Sequence, residues 1–307
     1  MNPTRRGVFP MLPTPFDGDG KLALAGIPAL VAYIVESGAD GLALLGLAGE
    51  VRALSIEGRK RVAEAAARAL DGRLPMLIGT SCDRTRDAVD VTQHAVSLGA
   101  EIIMVAPPVA ERRASEDDLL EHYLSVSRAA GNASVMLQDA PAELGVELSF
   151  DLITRIVSRA PNVRYAKLEG PLDGQSIADL REHPECAHLA FFGGKGGLRY
   201  IDVLDAGGSG MIPAAEAPER AVAVQRLYDA GDRAGALAAY RRMLPLWTFQ
   251  AQSLAIAVAS VKQILAWKGL LKDPYSRIAP ALKPWSREAL RRHALEAEII
   301  TSNGSLA

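Results

Sequence analysis

Eight times along the chain a short apolar run is followed by a longer stretch with helical spacing, and this alternation limits the fold more than any single residue does. The short runs occupy residues 7 to 16, 40 to 46, 74 to 80, 101 to 107, 134 to 139, 163 to 168, 188 to 193 and 208 to 213. Strands of a parallel sheet covered on both faces read as short apolar runs rather than as alternating ones. Between them, SIEGRKRVAEAAARAL (55 to 70), RTRDAVDVTQHAVSLG (84 to 99) and SEDDLLEHYLSVSRAAG (115 to 131) carry apolar residues at helical spacing. Several such stretches open on Ser or Asp, whose side-chain oxygens cap free amides, and close on Gly. Strand-then-helix units in series, mostly without hairpin turns, predict an α/β fold of the (β/α)8 TIM barrel type rather than an open sheet.

The eighth run ends near residue 213, leaving about a third of the 307 residues for helices. Segments 216 to 246, 249 to 270 and 286 to 302 have helical patterning, with PYSRIAPALKPW as a proline-rich connector. We therefore expect a catalytic barrel domain over residues 1–231 and a C-terminal helical domain over 232–307.

Charge and cysteine usage narrow the function classes. The 34 basic and 36 acidic residues nearly cancel, leaving a net charge of -2 without a long basic run, which argues against a nucleic-acid partner. Cys82 and Cys186 lie far apart and fit neither a disulfide framework nor paired zinc ligands, which points to a reducing compartment. Prolines interrupt the N-terminal MNPTRRGVFPMLPTPF before any signal-type core forms. Lys262 and Gln263 interrupt SLAIAVASVKQILAWKGLL, so it does not read as a membrane span. The expectation is a cytoplasmic protein with no membrane partner. His94, His122, His183, His188 and His293 show no ligand spacing with an acidic partner, so no metal is expected.

In barrels of this type the chemistry gathers at the carboxyl ends of the strands. The stretch VRYAKLEG places Lys167 next to last in the sixth apolar run, with Glu169 two residues on and hence on the same side if the strand continues. A lysine among apolar neighbours loses hydration of its charged form, and free amine becomes available to attack a carbonyl. A lysine simply reaching water or pairing with a carboxylate is an equal reading, and Glu169 is then its ion-pair partner instead of a general acid/base. GLAGE, residues 46 to 50, sets two glycines at a strand end, where backbone amides can turn toward a small anion or merely end the strand. QDAP, residues 138 to 141, offers Gln138 to a substrate or makes a turn. GGKGG, residues 193 to 197, is either a phosphate loop or a flexible turn, the turn being favoured.

Taken in order, GVFPMLPTPF, GLAGE, APP (106 to 108), QDAP and the K-x-E of the sixth run resemble the dihydrodipicolinate synthase/N-acetylneuraminate lyase family, of the class I aldolase superfamily. The resemblance implies a Schiff-base-forming lyase acting on pyruvate or another 2-keto acid, built as a barrel with a C-terminal helical extension. It also implies a homotetramer or homodimer and no organic cofactor. By carry-over Lys167 is the imine lysine, with Glu169 and Gln138 as its catalytic companions. Gly46, Leu47, Ala48, Gly49, Gly194 and Ile212 are the substrate-binding positions, the backbone around Leu47 and Ala48 holding the keto acid's carboxylate.

Three departures set a subgroup. Where the synthase and the sialic acid lyase place a proton-relaying tyrosine, this chain has Gln138, which cannot relay at neutral pH. Leu47 and Ala48 replace the synthase's paired threonines, and Glu143 stands where its arginine meets a substrate carboxylate. MLQDAP followed by YAKLEGP is similar to the branch of 2-keto-3-deoxy-sugar-acid dehydratases, notably L-2-keto-3-deoxyarabonate dehydratase, whereas GLAGE is closer to the general family. Dehydration is thus the favoured reaction. A pyruvate-dependent aldolase or a synthase-like activity is the alternative, as is a non-catalytic barrel that binds a 2-keto or sugar acid. A phosphosugar enzyme using GGKGG is a further reading.

Overall fold

The computed structural model describes residues 4 to 108 and 114 to 301. Among the described residues nine strands form one sheet, all pairs parallel: β1 (Gly7–Val8), β2 (Met11–Leu12), β3 (Leu42–Leu44), β4 (Met76–Gly79), β5 (Ile102–Val105), β6 (Ser134–Asp139), β7 (Val163–Leu168), β8 (Ala190–Gly193) and β9 (Gly210–Met211). The order runs β1-β9-β8-β7-β6-β5-β4-β3-β2, so both ends of the sheet belong to the same N-terminal segment. The expected first strand is therefore present but split, and it closes a (β/α)8 barrel.

The split has a local cause. Pro10 and Pro13 have no N–H to give to a ladder, so neither half extends far. The remaining groups bridge both neighbours: the Phe9 amide donates to Met211 O at 3.0 Å and the Met11 amide to Pro213 O at 2.8 Å. On the other side, the Ala43 amide donates to Pro10 O at 3.1 Å.

Side chains alternate across the barrel wall. Phe9, Leu77, Met104, Met136, Tyr165 and Phe192 pack together inside the ring, with Phe9 and Phe192 edge to face at a centroid distance of 5.6 Å. Ala166, Leu168, Val135 and Leu137 point the other way, into the larger apolar layer beneath the helices. That phase fixes Lys167 on the inner face, two residues past Tyr165, at the carboxyl-terminal rim.

The surrounding helices keep the capping read from the sequence. Ser55 accepts from the Gly58 amide, and Ser115 and Asp118 form a reciprocal capping box ahead of Glu116–Ala130. The expected segment 216 to 246 is instead two helices, Pro218–Asp229 and Arg233–Gln250, because Gly231 takes a left-handed φ of 80° between them. Arg233–Gln250 and Leu254–Trp267 then meet at 119°, with the Ser253 hydroxyl capping the second. Among the described residues no single helix is long and apolar enough to cross a membrane. The sharp bend carries residues 250 to 254 to the barrel mouth.

Candidate active site

β6 and β7 bring the first three residues together. Gln138 pairs in register with Lys167, so the two stand side by side at the rim. The Glu169 amide donates to Asp139 O at 2.8 Å, which continues the ladder one residue past β7 and keeps Glu169 on the face of Lys167. Lys167 Nζ lies 3.0 Å from Glu169 Oε2. The Gln138 side-chain amide donates to that same oxygen at 2.8 Å, and the Lys195 backbone amide donates to Oε1 at 3.0 Å. Both oxygens of one carboxylate are thereby held.

This carboxylate is deeply placed, its side chain 10% exposed and that of Lys167 7%. Burial pushes the Glu169 carboxyl upward, but the Lys167 charge, the Gln138 amide and the Lys195 amide outweigh it and leave it below the usual glutamate range. The ion pair and the strand-end lysine of the sequence reading are thus both present. What the sequence left open is whether a ligand has room beside them.

It has. A cavity of about 130 Å³ opens next to the pair. Its wall includes Lys167, Glu169, Gln138, Leu47, Ala48 and Ile212, as well as Glu143 and Lys195. Burial raises the Glu143 carboxyl, the Glu169 charge adds to this, and the Lys195 charge opposes it. Among the described residues no group of three or more His, Cys, Asp or Glu side chains is placed to hold a metal.

The loops explain which expected positions face the cavity. Leu47–Gly49 is a 3₁₀ turn bracketed by two non-glycine residues at left-handed φ, Leu45 at 58° and Glu50 at 60°. Gly49 and Glu50 donate back to Gly46 O and Leu47 O, so the amides of Leu47 and Ala48 precede the first bond of the turn. Gly46 and Gly49 do not line the cavity: Met11 Sδ sits 3.4 Å from the Gly46 amide, and Thr14 Oγ1 donates to Gly49 O at 2.6 Å. QDAP serves both of its readings, since Gln138 faces the site while Pro141 opens the short helix Pro141–Leu144 that carries Glu143.

GGKGG is likewise more than a flexible turn. Lys195, Gly196 and Gly197 all take positive φ, and Lys195 and Gly196 reach the cavity wall. Gly194 does not line it but lets the pair stand where it does. A Cβ there would meet Glu169 Oε1 at 2.1 Å and Lys167 Cε at 2.7 Å.

Sequence reasoning missed a further part of the wall, formed by Gln250, Ala251, Ser253 and Leu254 at the helix bend and by Ala257 and Val261 beyond it. The available signal was the AQS break between two helical patterns, a place where side chains can leave a helix surface. Strand-end motifs alone could not reveal which later helix returns to the mouth.

Comparison with known proteins gives a consistent result. The model of the dihydrodipicolinate synthetase family matches residues 4–296. The chain is 31% identical over 264 residues to 4-hydroxy-tetrahydrodipicolinate synthase of Moorella thermoacetica, covering 85% of this chain and 87% of that protein. It is 28% identical over 291 residues to L-2-keto-3-deoxyarabonate dehydratase of Azospirillum brasilense, covering 94% and 93%. The crystal structure of YagE from Escherichia coli K12, a prophage protein of the dihydrodipicolinic acid synthase family in complex with pyruvate, superposes with a TM-score of 0.86 at 25% identity, over 95% of this chain and 98% of that one.

Proposed function

The chain belongs to the dihydrodipicolinate synthetase family, and on that premise we propose that it is a Schiff-base lyase that dehydrates a 2-keto-3-deoxy sugar acid. The observation that carries the proposal is the Lys167 amine at the floor of a cavity with a carboxylate 3.0 Å away. The Lys167 nitrogen condenses with the C2 carbonyl: two of its ammonium protons leave with the carbonyl oxygen as water and the third stays on the imine nitrogen, so Glu169 remains a carboxylate beside a protonated imine.

The protonated imine withdraws electrons from C3. Glu169, on the same face as the amine, removes a C3 proton and returns it to the departing C4 hydroxyl, which leaves as water. Hydrolysis of the imine restores Lys167 and frees the dehydrated acid. Gln138 orients Glu169 through its 2.8 Å bond, but its amide N–H does not ionise near neutral pH, so proton transfer falls to the carboxylate. The leading amides of the Leu47–Gly49 turn are the donors suited to the substrate carboxylate, with Ile212 as apolar wall. The imine is the electron sink, so the reaction asks for no organic cofactor.

Retro-aldol cleavage between C3 and C4 starts from the same imine but takes its proton from the C4 hydroxyl. Similarity to YagE, whose structure holds pyruvate, keeps that outcome as the second reading. A synthase-type condensation fits less well, because Glu143 in the cavity wall opposes an aldehyde substrate bearing a carboxylate. A homotetramer or homodimer in the cytoplasm completes the proposal, and sedimentation of the purified protein tests the assembly.

Borohydride reduction with pyruvate or a 2-keto-3-deoxy acid should add the mass of the acid at Lys167. Absence of an adduct across a panel of such acids removes the imine reading. Turnover of 2-keto-3-deoxy pentonates and hexonates, scored for water loss against pyruvate release, then separates dehydration from cleavage.

A further inference from the structure

The strand ladder that carries Lys167 ends at the Glu169 amide, and the residues that follow have little of their own to hold them. Gly170 has no side chain, Pro171 has no N–H, and Leu172 is largely exposed. Yet Glu169, directly before them, is the carboxylate on which proton transfer depends.

What closes this segment comes from the neighbouring loop. Arg199 Nη1 donates to Gly170 O at 2.6 Å and lies 3.2 Å from Asp173 Oδ1. One nitrogen thus spans the segment, from the residue after Glu169 to the first residue of the helix Asp173–Glu182. Asp173 is buried, which lifts its carboxyl, and the Arg199 charge and hydrogen bond draw it back. With its carboxylate out of water, this pair holds its geometry more firmly than a surface pair would.

Arg199 follows the Lys195–Gly197 turn, where the Leu198 amide donates to Lys195 O at 3.2 Å and the Tyr240 hydroxyl donates to Leu198 O. The same turn supplies the Lys195 amide that holds Glu169 Oε1 at 3.0 Å. The guanidinium therefore joins two loops that position one carboxylate, the loop that continues from Glu169 and the loop that grips one of its oxygens. Arginine suits this task, since its charge is permanent and its planar fork offers donors in fixed directions. Arg199 does not line the cavity, so it acts through Glu169 rather than on the substrate. We propose that Arg199 is a positioning residue that clamps the loop after β7 to the loop after β8 and so holds Glu169 in place to take the C3 proton. This assignment rests on the Schiff-base reading, with Glu169 as its base.

Pyruvate alone separates the two. Borohydride trapping of pyruvate on Lys167 reports the imine and a folded site, whereas exchange of the pyruvate methyl protons with deuterated solvent also requires C3 proton removal. In Arg199→Met, the exchange rate at saturating pyruvate should fall roughly 10- to 100-fold while the trapping rate stays within about twofold of wild type. The acid limb of the exchange rate is a readout that a merely structural role would not move. The Lys195 amide helps to keep the Glu169 carboxyl low, so loosening that bond should shift the limb to higher pH by about half a unit or more. The other groups that face Glu169 remain: Lys167, Gln138, Glu143, Asp139 and the Lys195 charge.

A wild-type exchange rate, or a lower one with the acid limb unmoved, overturns the clamp and leaves the imine reading standing. Arg199→Lys keeps a positive charge beside Asp173 and decides the matter if Arg199→Met does not fold. Its shorter chain should leave Gly170 O unmet, lowering exchange at least roughly threefold with the same upward shift of the limb. Either quantity at its wild-type value overturns the proposal. Wild-type protein that traps pyruvate without exchanging its methyl protons overturns the assignment together with the role of Glu169 as base, and wild-type protein that does not trap pyruvate overturns the imine reading as well.

Discussion

Glu50 and Lys262 form an ion pair with neither side chain exposed, joining the turn that walls the cavity to the second C-terminal helix. The other Glu50 oxygen accepts from the Ser276 hydroxyl at 2.9 Å and the Arg277 amide at 2.7 Å. Lys262 also donates to Tyr275 O at 2.8 Å and stands 4.4 Å from the centroid of the Phe16 ring. Glu50 holds a left-handed φ of 60° at the end of the turn. The C-terminal helices therefore do more than pack on the barrel: they pin the Leu47–Gly49 turn in the cavity wall, the segment proposed to receive the substrate carboxylate.

Removing one member of that pair should hurt more than removing both. Lys262→Met strands a carboxylate away from water and should cost about 3 to 5 kcal/mol of stability. Adding Glu50→Gln to it should recover part of the loss, because the remaining group is neutral and can still meet Ser276 and Arg277. Denaturant unfolding of the two single variants and the double variant measures the coupling, and additive losses would show that the two side chains act independently.

Glu169→Gln isolates the proton-transfer step. The amide has nearly the same shape and can still lie between Gln138 and Lys195, yet it cannot remove a C3 proton. Turnover should drop on the order of 100- to 10,000-fold while borohydride still traps acid on Lys167. A variant within tenfold of wild-type turnover would move the base elsewhere.

Gly194→Ala should act through distance rather than through charge. The added carbon falls 2.1 Å from Glu169 Oε1, and something must shift. Displacing reacting groups by about 1 Å is enough for a rate loss on the order of 100-fold. Thermal unfolding together with steady-state kinetics tests this, with a normal rate at normal stability as the contrary outcome.

The parts of this molecule that sequence made legible are those whose signal is local. Apolar runs located every strand, and Lys167 and Glu169 stood out because charge inside such a run needs a reason. The splitting of the first strand followed from Pro10 and Pro13, residues whose effect depends on which neighbour the ladder would have joined. Gly194 looked like any turn glycine, since its crowding comes from side chains on β7. Lys262 was visible as a charge interrupting an apolar helix, but its partner Glu50 is distant in sequence and meets it only in the fold. Arg199 carried no pattern at all, because an arginine at the start of a helix is ordinary until the loop it reaches is known.

Asp139, at the end of β6, gives the clearest dependence on pH. Burial lifts its carboxyl from 3.8 to about 6, the Leu148 amide opposes this at 3.1 Å, and the charges of Glu147 and Glu169 add to it. The folded value lies above the unfolded one, so as pH rises from about 4 to 6 the unfolded chain releases its proton first and gains relative stability. The folded protein consequently loses stability across that window, and the loss is complete above it. A displacement of that size is worth roughly 3 kcal/mol. Asp139→Asn removes the titration while its carbonyl oxygen still accepts from Leu148. The variant should gain on wild type steadily between about pH 4 and pH 6.5 and hold a constant margin above. Urea midpoints taken across that range measure the margin. A margin that stays flat with pH would place the Asp139 carboxyl at its ordinary value, solvated in the folded protein despite its depth.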